Sequence, residues 1–416
     1  MVLSSVSSAR MQEIVQTLQK EQNTIVRAEP NRNLIVQGVA GSGKSSIALH
    51  RAAYLMYVHK DILSDNILLI TPSESFASYI SDVLPNLGEE NVRYMTAERV
   101  LREELAEVEG RYLNYTFESC TTYKRNLLST FAWVEWVEEF AMFLGNNCFQ
   151  AQTIESKFFK IPAKLLQQLY ATNYRHIPPF RRKEYVFEHI QDFIESKDDY
   201  AEARTEIARK LDAMYLVSNV RQAYEVFVRW VVEEKEVPQD IFNLEQLDMA
   251  DMYILTLLKV LLYGASDNQW VRHLIVDEMQ DLSALEHEIL RRIFVCPRTL
   301  LGDINQAIQF PLEVDYLCKL KNLYKDDPIR TESFTLSTSY RSTKQITEFS
   351  RSILEDDSIQ ALHRDGADVI VEEFAENREM EHIESMWKKL LEWKEKSYRT
   401  ALIVAKDEKT VHYYRT

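Results

Sequence analysis

The feature that most constrains this chain is a run of eight residues from Gly38 to Ser45, which reads Gly-Val-Ala-Gly-Ser-Gly-Lys-Ser. It holds three of the nine glycines in the whole sequence. Glycines at this spacing let the backbone turn sharply and aim successive N–H groups at phosphate oxygens, because side chains there would block a close approach. An apolar run precedes the motif, so we predict a phosphate-binding loop between a buried strand and a helix.

The residue types in this loop predict its ligand. The positive N-terminal end of the following helix would attract an anion. Lys44 would bridge the β- and γ-phosphates of a nucleotide, and the Ser45 hydroxyl would bind Mg²⁺. We therefore expect ATP and Mg²⁺ at this site. The residues expected to contact the nucleotide are Gly38, Gly41, Ser42, Gly43, Lys44, Ser45 and Ser46.

An acidic motif supplies the remaining groups that a nucleotide-hydrolysing site needs. Asp277 and Glu278 follow directly on an apolar run at residues 274–276. Because α/β sheets place ligands at the carboxyl ends of their strands, Asp277 is the predicted Mg²⁺ ligand, through a water molecule. Glu278 is the candidate general base for the attacking water. The alternative is a plain acidic turn between a strand and a helix.

Apolar runs and helical periodicity alternate along the chain, which predicts an α/β fold with a parallel sheet and crossover helices. Strands are predicted at residues 33–37, 67–70, 273–276, 299–301, 334–336, 369–371 and 400–404. Helices are predicted at residues 11–27, 45–58, 284–294, 343–354 and 380–393. Residues 96–265 show helical periodicity almost without glycine, so we predict a mostly helical insertion. Its aromatic residues, such as Trp133 and Phe140, are predicted to form its core; a base-stacking platform is the alternative.

Composition limits the class of protein. The 416 residues carry a formal net charge of −15, which counts against a protein that coats DNA broadly but allows a local basic groove. No apolar run approaches the roughly 20 residues that span a bilayer, and the serine-rich N-terminus does not resemble a signal peptide. We therefore expect a cytoplasmic protein without a membrane partner.

The acidic motif also carries a family resemblance. Residues 277–281 read Asp-Glu-Met-Gln-Asp, which resembles the Walker B motif of UvrD/Rep-type superfamily 1 DNA helicases. Gln22 resembles the glutamine of the family's Q motif, which reads adenine. Residues 302–306 resemble motif III, in which Gln306 would sense the γ-phosphate and couple it to nucleic acid. The alternatives are a solvated helix residue at Gln22 and a plain turn after a strand at residue 302.

Two further segments resemble motifs of the same family. Residues 336–342 resemble motif IV, so Tyr340 would stack on adenine and Arg341 would contact the γ-phosphate. The alternatives are a core tyrosine and a surface salt bridge. Thr71, Pro72 and Ser73 resemble motif Ia, which contacts the backbone of single-stranded DNA; small hydroxyl side chains suit such contacts. A capping turn is the alternative there.

A finer likeness points to the HelD branch of this family. Residues 11–22, 70–76 and 79–89 look like the HelD versions of the Q and Ia segments. HelD proteins are helicase-like ATPases that bind RNA polymerase. Their long N-terminal arm and the family's motifs V and VI are not found in this sequence, so we expect a truncated chain with weakened hydrolysis.

The resemblance implies a RecA-like P-loop NTPase core with a partial second RecA-like domain, and a motor that acts on DNA with 3′–5′ polarity. The alternatives are a HelD-like remodeller of RNA polymerase and a nucleotide-binding scaffold with little turnover. The expected division is residues 1–99 and 266–330 for the first RecA-like domain, 100–265 for the helical insertion and 331–416 for the second RecA-like domain.

Overall fold

The computed structural model describes residues 20–73, 91–109, 121–156, 159–191, 200–325, 327–362, 364–373, 379–395 and 404. The strands are β1 Asn33–Gly38, β2 Ile67–Ile70, β3 Arg93–Met95, β4 Ile154–Glu155, β5 Lys160–Ile161, β6 His273–Val276, β7 Arg298–Gly302, β8 Thr331–Leu336, β9 Thr338–Ser339 and β10 Gln360–Ala361. The α-helices are α1 Lys20–Val26, α2 Lys44–Val58, α3 Ala97–Glu109, α4 Thr122–Leu128, α5 Ala132–Asn147, α6 Ala163–Gln168, α7 Arg182–Ile190, α8 Tyr200–Asp212, α9 Val220–Glu234, α10 Met249–Tyr263, α11 Ala284–Ile293, α12 Tyr316–Leu323, α13 Lys344–Leu354 and α14 Glu379–Glu395.

Six parallel strands form one central sheet in the order β3-β2-β6-β7-β1-β8. Successive residues of β1 point to opposite faces, so Leu34 and Val36 pack in one core and Ile35 packs in the other. All four residues of β2 and of β6 are buried. A parallel sheet is covered on both faces, which explains why these strands read as continuous apolar runs. The predicted α/β fold is confirmed.

The edge strand β8 lies in this same sheet. It pairs with β1 from Asn33 opposite Thr331 to Gly38 opposite Leu336. The sequence placed this strand at the start of a second α/β unit. The pattern identifies a strand but not its partner, because strand pairing depends on contacts between distant segments.

Some of the predicted elements in the C-terminal part need correction or lie beyond the described chain. The strand predicted at residues 369–371 is wrong, since these residues form no strand and all three are exposed. Residues 11–19 of the first predicted helix, residues 74–90 of the motif Ia region and residues 400–403 of the last predicted strand are outside the described residues. The division of the chain into four segments stays a prediction.

The insertion is mostly helical where it is described, as predicted, and it shares its core with one face of the sheet. Trp133 and Phe140 are fully buried and belong to the same apolar cluster as Ile35 of β1. This burial favours the core interpretation over a base-stacking platform. Helix α10 packs against α3, α5, α9 and α11 and so ties the insertion to the helix that covers the sheet. Within the described ranges, no helix has both the length and the apolar character to cross a bilayer.

Candidate functional site

The predicted phosphate-binding loop connects β1 to α2, as the sequence indicated. Strand β1 ends at Gly38 and helix α2 begins at Lys44. Gly41 and Gly43 have φ angles of +73° and +86°, in the left-handed region that glycine enters at little cost. The loop therefore requires glycine at these two positions for its backbone conformation.

Gln22, the predicted adenine-reading residue, lies directly against the loop. It is buried in α1, and its Nε2 donates a hydrogen bond of 2.7 Å to the carbonyl oxygen of Ser42. A Cβ atom on Gly43 would lie 2.6 Å from the same Nε2. The side chain of Gln22 and the backbone of the loop therefore fix each other's position.

Arg51 holds α1 in this place, and the sequence analysis missed it. Its guanidinium is completely buried and donates hydrogen bonds to the carbonyl oxygens of Ile25, Val26, Ala28 and Glu29, which lie at the C-terminal end of α1 and just beyond it. Burial lowers the pKa of Arg51 to about 10. Free carbonyl groups at a helix end are a natural partner for a cation. The signal in the sequence is weak, because it is a single arginine within an amphipathic helix.

Lys44 lies inside the loop and is only 8% exposed. Its Nζ donates to the carbonyl oxygens of Gly38 at 3.0 Å and Val39 at 3.4 Å. The Ser42 hydroxyl is also buried, and no described residue gives it a hydrogen-bond partner. A phosphate in the loop would compete with the two carbonyl groups for the ammonium and could accept from the hydroxyl.

Asp277 follows β6 and is almost completely buried. Its Oδ1 accepts a hydrogen bond of 3.1 Å from the backbone N–H of Glu278, whereas its Oδ2 has no partner among the described residues. Burial raises the pKa of Asp277 to about 6, although the Ser45 hydroxyl and Lys44 favour its charged form. A buried carboxylate oxygen without a partner, next to a serine hydroxyl, provides the oxygen ligands that Mg²⁺ prefers. These residues fit a Mg²⁺ ion.

Glu278 has a φ angle of +53°, which is unusual for a residue other than glycine and costs about 1 kcal/mol or more. Its Oε2 accepts a hydrogen bond of 2.8 Å from Nε2 of Gln280. The other end of the Gln280 amide, Oε1, accepts one of 2.8 Å from the backbone N–H of Asp303. The predicted general base is therefore held through one glutamine by the loop that follows β7.

Gln306, the predicted γ-phosphate sensor, lies in the same loop. Its Nε2 donates a hydrogen bond of 2.5 Å to Oδ2 of Asp303. Asp303 is 3% exposed and accepts a second bond from the backbone N–H of Asn305. The sequence identified this motif but gave Asp303 no role of its own. The structure makes its carboxylate the partner of the predicted sensor.

Tyr340 and Arg341, the two predicted motif IV residues, follow β9 and reach the phosphate-binding loop by their backbone. The N–H of Tyr340 donates a hydrogen bond of 2.9 Å to the carbonyl oxygen of Gly41. A Cβ atom on Gly41 would lie 2.8 Å from Cβ of Arg341. The Arg341 side chain is exposed, and the buried Ser339 hydroxyl before it has no partner among the described residues.

The three predicted nucleic-acid contacts differ in exposure. Thr71 is 2% exposed and its hydroxyl donates to the carbonyl oxygen of Ser73, whereas Pro72 and Ser73 are exposed. A cavity of about 320 Å³ lies between Thr71 and the acidic pair, Asp277 and Glu278. Thr71 is therefore buried with its hydroxyl bonded to its own turn, while Pro72 and Ser73 lie at the surface; the nucleic-acid contacts stay a prediction.

Comparison with known proteins agrees with the site. No curated protein matches the chain at a significant level. The family model of the UvrD/REP helicase N-terminal domain matches residues 18–310, which is more than half of the chain. The matched range includes Gln22, the phosphate-binding loop, the acidic pair and Gln306, and it ends before Tyr340 and Arg341. With its RecA-like parallel sheet and this match, the chain belongs to the UvrD/REP helicase family.

Proposed function

We propose that the chain binds ATP with Mg²⁺ and uses its hydrolysis to act on DNA as a helicase-like motor. The family implies an ATP-dependent motor in general terms. The observation that carries the proposal for this chain is the buried Oδ2 of Asp277, which has no partner in the described part of the protein and lies beside Ser45 of the phosphate-binding loop.

Each site residue has a proposed role. Lys44 would leave the carbonyl groups of its own loop and bind the β- and γ-phosphates. Ser45 and Asp277 would hold Mg²⁺, which when bound offsets the negative charge on the phosphate oxygens. Glu278 would accept the proton of the attacking water, because its carboxylate is held in place by Gln280.

The adenine ring and the γ-phosphate of ATP would each be contacted by two residues from different parts of the chain. Gln22 and Tyr340 would bind adenine, the first by hydrogen bonds and the second by stacking. Gln306 and Arg341 would contact the γ-phosphate. This proposal draws support from the position of Gln22 and Tyr340, since both form hydrogen bonds to the backbone of the phosphate-binding loop.

DNA is the proposed substrate, with 3′–5′ polarity by family resemblance. The exposed residues Pro72 and Ser73 are the proposed backbone contacts. Phosphate contacts release counterions, so hydrolysis stimulated by single-stranded DNA should fall steeply as salt rises. Partial duplexes with a 3′ or a 5′ overhang test the polarity, and poly(U) in place of poly(dT) tests the preference for DNA.

The deciding experiment measures ATP hydrolysis by the purified protein with and without single-stranded DNA. We expect stimulation by DNA, loss of nucleotide binding in Lys44→Ala, and binding without hydrolysis in Glu278→Gln. Glu236→Gln is the matched control, because Glu236 is exposed, lies in the insertion and has the same left-handed backbone with a φ of +54°. Full hydrolysis in Glu278→Gln would refute the general-base assignment.

The same experiments test two alternative functions. Tight ATP binding without hydrolysis, whatever nucleic acid is added, would favour a nucleotide-binding scaffold. The HelD-like branch is a proposal that rests on the likeness of residues 11–22, 70–76 and 79–89, and it predicts co-purification with RNA polymerase. Stimulation by DNA together with no association with RNA polymerase would exclude that branch-level function.

A further inference from the structure

Gln37 is a polar residue near the end of the otherwise mostly apolar strand β1, one position before the phosphate-binding loop. Both ends of its amide are used. Its Nε2 donates a hydrogen bond of 2.9 Å to Oδ1 of Asp303, and its Oε1 accepts one of 3.2 Å from the backbone N–H of Ile304. Two bonds of opposite sense fix the orientation of the amide.

The strand register explains how these residues meet. Gln37 of β1 lies opposite Gly302 of β7 in the parallel pair, so Asp303 follows directly beside it. Glycine at position 302 makes room for the acidic turn, since a Cβ atom there would lie 2.6 Å from Cγ of Met279 and 3.0 Å from its backbone nitrogen. The contact is therefore built into the packing of two adjacent strands.

Asp303 joins three parts of the site. Its buried carboxylate accepts from Gln37 on the strand that leads to the phosphate-binding loop, and from the side chain of Gln306. Its backbone N–H donates to Gln280, whose amide in turn holds Glu278. Asp303 thus links the loop strand and the predicted sensor through its carboxylate, and the predicted general base through its backbone N–H and Gln280.

We propose that Gln37 is a positioning residue that, through Asp303, sets the position from which Gln306 recognises the γ-phosphate. This inference rests on the proposed function. The Nε2 group of Gln306 carries two N–H donors, so it can keep its bond to Asp303 with one and donate to a γ-phosphate oxygen with the other. A carboxylate fixed by Gln37 therefore holds the second donor in a defined direction, whereas without Gln37 Oδ1 of Asp303 keeps only the bond from the backbone N–H of Asn305 and the direction of Gln306 is less well defined.

The test compares affinities for Mg²⁺-ADP and for a non-hydrolysable Mg²⁺-ATP analogue by calorimetry. Gln37→Met keeps the length of the side chain and removes both hydrogen bonds. We expect its affinity for ADP to stay within about twofold, and its preference for the triphosphate to fall about tenfold, the usual effect of losing a hydrogen bond to a charged group. Asp303→Asn, which keeps the shape of the side chain, should reduce the preference in the same way and serves if Gln37→Met does not fold.

Two control variants separate a positioning role of Gln37 from a general loss of folding stability. Val36→Ala creates a cavity in the same strand, on a fully buried residue that does not take part in these bonds, and should lower the melting temperature without changing the preference. Gln306→Ala should abolish most of the preference, and the double variant with Gln37→Met should lose no more, because Gln37 acts through Gln306.

The outcomes separate the inference from the proposed function. An unchanged preference in Gln37→Met, or additive losses in the double variant, would overturn the inference while leaving ATP-driven activity in place. If the unaltered protein bound neither nucleotide, the proposed function would fail and the inference would fail with it.

Discussion

Substituting Gly43 by alanine tests whether Gln22 and the phosphate-binding loop support each other. Gly43 has a φ angle of +86° and a ψ angle of 24°, so alanine would be forced into the left-handed region. Its new Cβ would also lie 2.6 Å from Nε2 of Gln22, closer than side chains approach each other. Because that atom ends a flexible side chain, we expect Gln22 to move away and to release the carbonyl oxygen of Ser42.

The size of the effect follows from two separate costs. An alanine in the left-handed region costs roughly 1–2 kcal/mol. Loss of the hydrogen bond between Gln22 and Ser42 adds about 1 kcal/mol. Gly43→Ala should therefore lower the free energy of unfolding by about 2–3 kcal/mol. Gln22→Ala alone loses the same bond and should cost about 1–2 kcal/mol.

The assay is denaturant unfolding of the single variants Gly43→Ala and Gln22→Ala and of the double variant. Since the bond to Ser42 can be lost only once, the double variant should be more stable than the sum of the two single losses predicts, by about 1 kcal/mol. Gly264→Ala is a control for replacing a glycine of positive φ outside the site, because Gly264, at the end of α10, has a φ of +91° and a ψ of 164°, another conformation that favours glycine, and lies far from Gln22 in the chain. Losses that add within about 0.5 kcal/mol would refute the coupling.

Two further predictions concern buried charges. Burial raises the pKa of Glu286 from its ordinary value of 4.5 to about 7, so the folded protein holds a proton that the unfolded chain releases. The protonated Glu286 stabilises the fold fully below the pKa of the unfolded chain, and this stability is lost as the pH rises through the pKa of the folded protein. The protein should therefore be about 2 kcal/mol less stable at about pH 7.5 than at about pH 5 because of this group, and Glu286→Gln should remove that pH dependence. An unchanged pH dependence in Glu286→Gln would contradict the raised pKa. Lys124 pairs with the buried Asp251 at 2.5 Å, so Lys124→Met should cost about 3–5 kcal/mol in urea unfolding, and adding Asp251→Asn should restore part of it. An equal loss in the double variant would show that the charge on Asp251 is not the cause.

Much of the fold could be predicted because its elements depend on local patterns. The apolar runs at residues 67–70 and 273–276 are strands β2 and β6, and the helix predicted at residues 284–294 is α11. Prediction failed at residues 369–371, where a short β-branched run lies exposed outside any sheet. Such a run has the propensity for a strand, but within the described part of the chain no neighbouring strand supplies its hydrogen bonds.

The residues of the candidate site likewise fall into those that a local sequence pattern reveals and those that it does not. Its motif residues could be found because each is part of a short pattern, and the structure brings Gln22, the loop, Asp277 and Tyr340 together. Arg51 and Gln37 could not be found. Each acts through partners on other elements, and their residue types alone indicate no such role.

The sequence by itself determined the phosphate-binding loop, because the positive φ angles of the turn between β1 and α2 require glycines that all lie within eight residues. It also determined the acidic motif and most strands of the sheet. Only the tertiary structure decided that β8 pairs with β1, and that Gln37 and Asp303, which are 266 residues apart, share a hydrogen bond. Those contacts depend on the order of strands in the sheet, which the burial of whole segments decides and which no local pattern encodes.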